Sequence, residues 1–257
     1  MVDVGMQQRE TTVKPGLAVR RWLALAVVIV LLGAGLWLLP VGLPVSALFG
    51  SGGAQVWSHR ALADHVHEEN SQAAVDAASA QGFPGIELDV HYLADVGRLY
   101  VGHDWPDDGA AVRYLDEYAL PEAARIWLDV KNLGDLSEAQ IADIALQLHA
   151  MGLGDRTYVE SKSLAALKTA ERHGLRTIFW VTPATASRLP FLKYVMMWHG
   201  IDAVSCDYRN VAMVAPHFRN RSVFVFTVNE PAAIAAFRKD PDVGVVLTDR
   251  HYLFTGD

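Results

Sequence analysis

Four short stretches place chemically capable side chains at fixed spacing: His59-Arg60, Glu87-x-Asp89, His103-Asp104 and Asp129-x-Lys131. Each has an ordinary reading when taken alone. A histidine at a strand end is usually a hydrogen-bonded structural residue, and an Asp-x-Lys pair is usually a solvated ion pair worth little. Brought together, three strand carboxylates, two histidines and two cations make a different object. The three carboxylates, with no cysteine beside them, give an all-oxygen donor set, which suits one hard divalent cation, Mg²⁺ or Ca²⁺, better than zinc. Arg60 as a fork and Lys131 as a point charge suit an anion such as phosphate. Two histidines can take the proton from an attacking oxygen and return one to a leaving oxygen. Cleavage of a phosphodiester uses all of these parts.

What could bring them together is a barrel. Residues two apart on a strand share a face, about 6.5–7 Å from one another, so "GIELDVHY" at 85–92 turns Glu87, Asp89 and His91 one way and Ile86, Leu88 and Val90 the other. Short apolar runs of this kind ("QVWSH", "GIELDVHY", "RIWLDVK", "TYVES", "RTIFWVT", "DAVSCDY", "SVFVFTVN", "VGVVLTD") alternate with segments whose apolar residues recur at three to four, such as "SEAQIADIALQLHAMG". Eight βα units in about 200 residues predict an α/β fold of the (β/α)₈ TIM type, with "RLYVGHD" as an extra strand beside "GIELDVHY". No glycine-rich phosphate turn follows the first strand, which argues against an open doubly wound sheet. In such a barrel the strands' carboxyl ends share one mouth, and the polar residues fall at those ends.

In order and type these motifs resemble the glycerophosphodiester phosphodiesterase family of the phospholipase C-like phosphodiesterase superfamily. Its "HRG", "EN[TS]", "E-x-D", "HD" and "E-x-K" are similar to "HR" at 59–60, "ENS" at 69–71, "ELD" at 87–89, "GHD" at 102–104 and "DVK" at 129–131, and its late "W-T-V-N" and "T-D" segments are similar to "FTVN" and "VLTD". The resemblance implies that His59 and His103 are the catalytic acid and base, that Glu87, Asp89 and Asp129 bind the metal, and that Arg60 and Lys131 hold the phosphate. The substrate it implies is a glycerophosphodiester or a (lyso)phospholipid headgroup, with headgroup cleavage of the sphingomyelinase D or phospholipase D kind as an alternative. The chain departs from the pattern at Ala61, where the family has glycine, and at Asp129, where it commonly has glutamate. The stretch between His103 and Asp129 is also too short for the family's usual inserted subdomain over the site.

Other residues read more plainly. Asn70 or Ser71 is expected as a helix N-cap, with Glu69 at the margin of the site and His91 behind it or exposed. Trp105 and Trp180 are core residues or an apolar wall, Cys206 a small buried hydrophobe, and Lys162, Thr227 and Asn229 are placed near the mouth. A glycosidase would use two of the carboxylates but leave Arg60, Lys131 and one histidine idle. A non-catalytic module for anionic headgroups would keep the phosphate pocket alone.

The chain has 257 residues, a formal charge of −7 and one cysteine. It can bury a full core, has no basic stripe for nucleic acid and can form no internal disulfide. Trp22–Leu39 carries no charge and is long enough to cross a membrane, and Arg9, Lys14, Arg20 and Arg21 precede it. The expected order is therefore a cytoplasmic tail at 1–21, a transmembrane anchor or signal segment at 22–39, a linker at 40–54 and a phosphodiesterase barrel at 55–257 on the extracytoplasmic side.

Overall fold

The computed structural model describes residues 17–43, 53–62, 67–107, 112–220 and 222–250. The chain forms two compact units, Met1–Leu39 and Pro40–Asp257. In the first, helix α1 runs over Leu17–Leu38. Among the described residues no helix is long and apolar enough to cross a membrane, so the expected transmembrane span at 22–39 gains no support from the structure.

The second unit begins with a short strand, β1 (Val41–Gly42). Its start was expected to be linker, yet Val41 and Leu43 are buried and the Leu43 amide donates to Ser222 Oγ at 3.0 Å. Two apolar side chains that close together gain more by docking than by staying in water. The remainder of the expected linker, 44–52, lies outside the described residues.

Eight parallel strands then close a barrel: β2 (Gln55–Ser58), β3 (Gly85–Leu93), β5 (Arg125–Val130), β6 (Thr157–Ser161), β7 (Arg176–Trp180), β8 (Ala203–Asp207), β10 (Val223–Phe226) and β11 (Val243–Thr248). β2 meets β11 on one side and β3 on the other, which completes the ring. β4 (Arg98–Val101) pairs antiparallel with β3, as expected of the extra strand, and β9 (Phe218–Arg219) pairs with β1. Outside lie α2 (Gln72–Ala80), α3 (Glu138–Ala150), α4 (Leu164–Arg172), α5 (Pro183–Ala186), α6 (Leu189–Trp198), α7 (Val211–Val214) and α8 (Pro231–Phe237). Ser71, Ser137 and Ser163 cap α2, α3 and α4 by accepting from the backbone amides of Ala74, Gln140 and Ala166.

Strand parity sorts the core. Ile86, Leu88 and Val90 of β3 and Ile126, Leu128 and Val130 of β5 pack outward against the helices. The alternate residues face the interior, where Trp57, Trp127, Tyr158 and Phe224 form a second apolar cluster. A Cβ on Gly85 would lie 2.1 Å from Trp57 Cδ2, so only glycine leaves room for the indole there. One layer further along the strands the interior changes character: Asp89 is in register with Asp129, and Asp129 with Glu160. An aromatic plug thus lies beneath a row of carboxylates at the strands' carboxyl ends.

Candidate active site

All seven residues singled out in the sequence, His59, Arg60, Glu87, Asp89, His103, Asp129 and Lys131, line one cavity of about 200 Å³ at this end of the barrel. Trp127, Glu160, Trp180, Phe226, Thr227 and Leu247 complete its wall.

The acidic side is deeply buried. Glu87, Asp89, Asp129 and Glu160 are 3%, 2%, 8% and 3% exposed, and burying several carboxylates together disfavours their ionised forms unless cations face them. Burial first, then the charges of Asp89 and Asp129, pushes Glu87 well above the ordinary carboxylate range. Burial first, then Asp129, does the same to Glu160, whose Oε1 accepts from Ser205 Oγ. Asp129 is also raised, by burial above all and then by Asp89, against the opposing pull of Lys131. Asp89 behaves oppositely: burial would raise it, but Lys131, Asn70 and Arg60 together hold it below its usual value. Lys131 Nζ lies 2.5 Å from Asp89 Oδ1 and 2.6 Å from Asp129 Oδ2, bridging neighbouring strands. Those carboxylates keep the ammonium charged despite burial.

Arg60 stands on an unusual backbone. Both Arg60 (φ 52°) and Ala61 (φ 54°) are in the left-handed region, which costs a residue with a Cβ roughly 1–2 kcal/mol. The turn lets the Arg60 amide donate to Glu87 Oε2 at 2.7 Å. Its side chain places Nε 3.1 Å from Asp89 Oδ2 and Nη1 2.8 Å from Glu69 Oε1. Glu69 therefore reaches the site through Arg60.

The histidines differ in setting. His59 Nδ1 is 2.8 Å from Asp249 Oδ1, and Asp249 is itself held by Asn229, whose Nδ2 donates to Oδ2 at 2.8 Å and whose Oδ1 accepts the Asp249 amide at 2.9 Å. With Nδ1–H donated to Asp249, Nε2 is left as the basic nitrogen, 4.0 Å from Glu87 Oε2 and 3.4 Å from Thr227 Oγ1. His103 follows β4 on a loop, more exposed, with Nδ1 2.9 Å from Asp104 Oδ1. His91 is buried beneath that loop, its Nε2 donating to the His103 carbonyl at 3.1 Å, and it is not exposed.

Three participants went unassigned in the sequence. Asn70 was read only as a possible N-cap; the cap is Ser71, and buried Asn70 (φ 58°) instead clasps Asp89, donating Nδ2 to Oδ2 and accepting the Asp89 amide at Oδ1, both at 3.0 Å. Glu160 carried a signal, a carboxylate at an inward position of "TYVES" in register with Asp129. Asp249 sat in "VLTD" without a role. Lys162 Nζ stacks 3.7 Å over the Trp180 ring. Cys206 is buried as expected, its thiol pushed up to about 12 by burial, Asp207 and Glu160.

Whether a divalent cation fits has two sides. The carboxylate donors are all oxygen, and the four buried carboxylates outnumber Arg60 and Lys131, which form ion pairs with them. Yet among the described residues no three His, Cys, Asp or Glu side chains are arranged to hold a metal ion, and Lys131 Nζ contacts both Asp89 and Asp129. The chemistry of the donors fits the ion; their present arrangement is that of a salt-bridged cluster.

No family model and no curated protein matches the sequence. Solved structures do match. The chain is similar to a glycerophosphodiester phosphodiesterase from Thermotoga maritima (TM-score 0.64, 19% identity, covering 79% of this chain and 97% of that one). It is also similar to one from Agrobacterium tumefaciens (TM-score 0.56, 23% identity, 78% and 98%). A third is an Oleispira antarctica phosphodiesterase in complex with the product sn-glycerol-3-phosphate (TM-score 0.56, 19% identity, 82% and 96%). At such identities the likeness establishes a shared barrel fold.

Proposed function

We propose that the chain is a phosphoric diester hydrolase acting on glycerophosphodiesters or (lyso)phospholipid headgroups. The observation that carries this reading is the meeting, in one cavity, of two histidines, Arg60, Lys131 and a cluster of buried carboxylates. The solved structures that share the fold include one described with a glycerol phosphate product, which supports the same substrate class.

In this reading Arg60 and Lys131 orient the phosphate. His59, with Nδ1 tied to Asp249, takes a proton at Nε2 from the attacking oxygen, either water or a neighbouring substrate hydroxyl. His103, as the imidazolium, gives its proton to the alkoxide as the other P–O bond breaks, so charge does not accumulate on either oxygen. Glu87, Asp89 and Asp129 are the side chains that would hold Mg²⁺ or Ca²⁺, a cation that when bound polarises the phosphoryl oxygen. Asp129 is a methylene shorter than the glutamate of the resembled pattern, and Glu160 stands beside it in register.

The test is turnover of glycerophosphodiesters and lysophospholipids by the full chain, with and without a divalent chelator. Hydrolysis abolished by chelation and restored by Mg²⁺ or Ca²⁺ is expected; activity on sugars that ignores chelation would favour a glycosidase and overturn the reading.

The location is a proposal from the sequence. The charge-free run Trp22–Leu39 behind Arg20 and Arg21 supports an anchor with the barrel on the extracytoplasmic side. Alkaline carbonate extraction decides it: the full chain stays with the membrane if the anchor spans it and is released if not.

A further inference from the structure

We propose that the outward face of α6 is a membrane-surface contact that seats one flank of the barrel on a lipid bilayer. This rests on the N-terminal anchor proposed from the sequence for the identity of the apolar phase, and on the helix itself for the contact.

A surface helix ordinarily buries its apolar side and turns charge to water, and a helix that is apolar all round is ordinarily buried all round. Helix α6 does neither. Its one charged side chain, Lys193, is fully buried together with Leu189 and Met196, while Phe191, Met197 and Trp198 are 62%, 48% and 83% exposed. Phe191, Tyr194, Val195 and Trp198 recur at three and four, so they share one face. The half-buried Tyr194 and Val195 fill the stripe between the two exposed rings. Among the described residues no other barrel helix exposes more than one large apolar side chain. Single exposed apolar residues are ordinary, but a contiguous stripe marks a contact surface. Trp and Tyr are the residues enriched where lipid meets water, since each joins an apolar ring to a polar tip.

What covers the stripe follows from the course of the chain. β1 packs against α6 and is held there by the burial of Val41 and Leu43 and by its pairing with β9. Only Leu39 and Pro40 separate Leu38, the last residue of α1, from Val41, a span of at most about 11 Å. The charge-free run Trp22–Leu39 therefore ends within that reach of β1, the strand that packs on α6. A run that needs a hydrocarbon phase brings that phase to the one barrel helix with a stripe of exposed rings. No charged side chain of α6 is exposed, which suits the boundary between headgroups and acyl chains, where the apolar face of an interfacial helix lies about 5–10 Å deep.

The experiment uses the full chain on phosphatidylcholine–phosphatidylglycerol vesicles, with a nitroxide on Phe191→Cys or, separately, on Val195→Cys. Leu146→Cys serves as the reference, its site being 69% exposed on α3. Cys206, buried and with its thiol pushed up to about 12, takes no label. Either α6 label should collide with oxygen rather than with an aqueous nickel chelate, at a depth of about 5–10 Å, while the α3 label collides with the chelate. Adding Phe191→Ser/Trp198→Ser to Val195→Cys should return its label to water. An aqueous label on a chain that resists carbonate extraction overturns the contact and leaves the anchor intact. Immersion on a chain that carbonate releases upholds the contact and removes the anchor, and an aqueous label on a released chain sinks both. Spin–spin broadening in place of immersion assigns the face to a second copy of the chain, and immersion that survives the loss of both rings shows that they do not seat the barrel; either result overturns the proposal.

Discussion

Asn70→Ala should be among the most damaging single changes in the barrel, although the residue touches no proposed substrate. The side chain donates to the Asp89 carboxylate and accepts the Asp89 amide, both at 3.0 Å and both buried. A hydrogen bond to a charged group is worth about 1.5–3 kcal/mol, and an amide left buried without a partner costs about 1–3 kcal/mol. Alanine at φ 58° adds roughly 1 kcal/mol that asparagine tolerates better. Together these predict a loss of roughly 3.5–7 kcal/mol, a large share of the roughly 5–15 kcal/mol that holds a domain folded. Asn70→Gly loses the same hydrogen bonds without the left-handed penalty, and should be less damaged than alanine by about 0.5–1 kcal/mol after its greater chain entropy. Urea unfolding of the three proteins reads both numbers. Asn70→Ala within 1 kcal/mol of the parent, or glycine no better than alanine, would refute the clasp.

Asp249→Asn keeps the shape of the His59 partner but removes its charge and can leave the wrong ring nitrogen protonated. Turnover should fall by roughly 10²–10⁴ with little change in thermal stability, and an unaffected rate would show that His59 needs no orienting carboxylate. Gly85→Ala puts a methyl 2.1 Å from Trp57 Cδ2, so the indole or β3 must move; a loss of about 1–3 kcal/mol in denaturant unfolding is expected, and none would show that the plug is loose. For pH, Glu87, Glu160 and Asp129 have folded values raised by burial above all. Their contribution is fully present below their unfolded values and is lost as pH rises through the folded ones. Asp89, held low by Lys131, Asn70 and Arg60 against burial, has the opposite sign: its contribution is present above its unfolded value and is lost as pH falls through the folded one. With three groups against one, the cation-free protein should melt higher near pH 5 than near pH 8, and Glu160→Gln should flatten that slope. A melting temperature that rises steadily to pH 8 would contradict this.

Much of the site was legible because strand parity is a local property. "GIELDVHY" and "RIWLDVK" show their inward carboxylates in the alternation itself, and the barrel turns alternation into convergence. Helix α6 was harder to read, since "LPFLKYVMMW" is apolar nearly throughout and shows no periodic face. Partners remote in sequence were illegible for a different reason. His59 and Asp249 are 190 positions apart, and nothing in either segment announces the other. Asn70 looks like a cap because it precedes a helix; only the left-handed turn, which no side-chain pattern encodes, points it at Asp89 instead. Lys131 was assigned to phosphate, and the structure adds that its ammonium is already shared by Asp89 and Asp129.

The most direct measurement is ³¹P NMR of glycerophosphodiesters incubated with the full chain and Mg²⁺ or Ca²⁺, run beside His59→Asn and His103→Asn. The account predicts conversion of the diester resonance to a cyclic diester or monoester by the parent protein, slowed by roughly 10²–10⁴ in each variant. A folded parent protein that leaves every diester intact with either cation, or variants that turn over as fast as the parent, would contradict it.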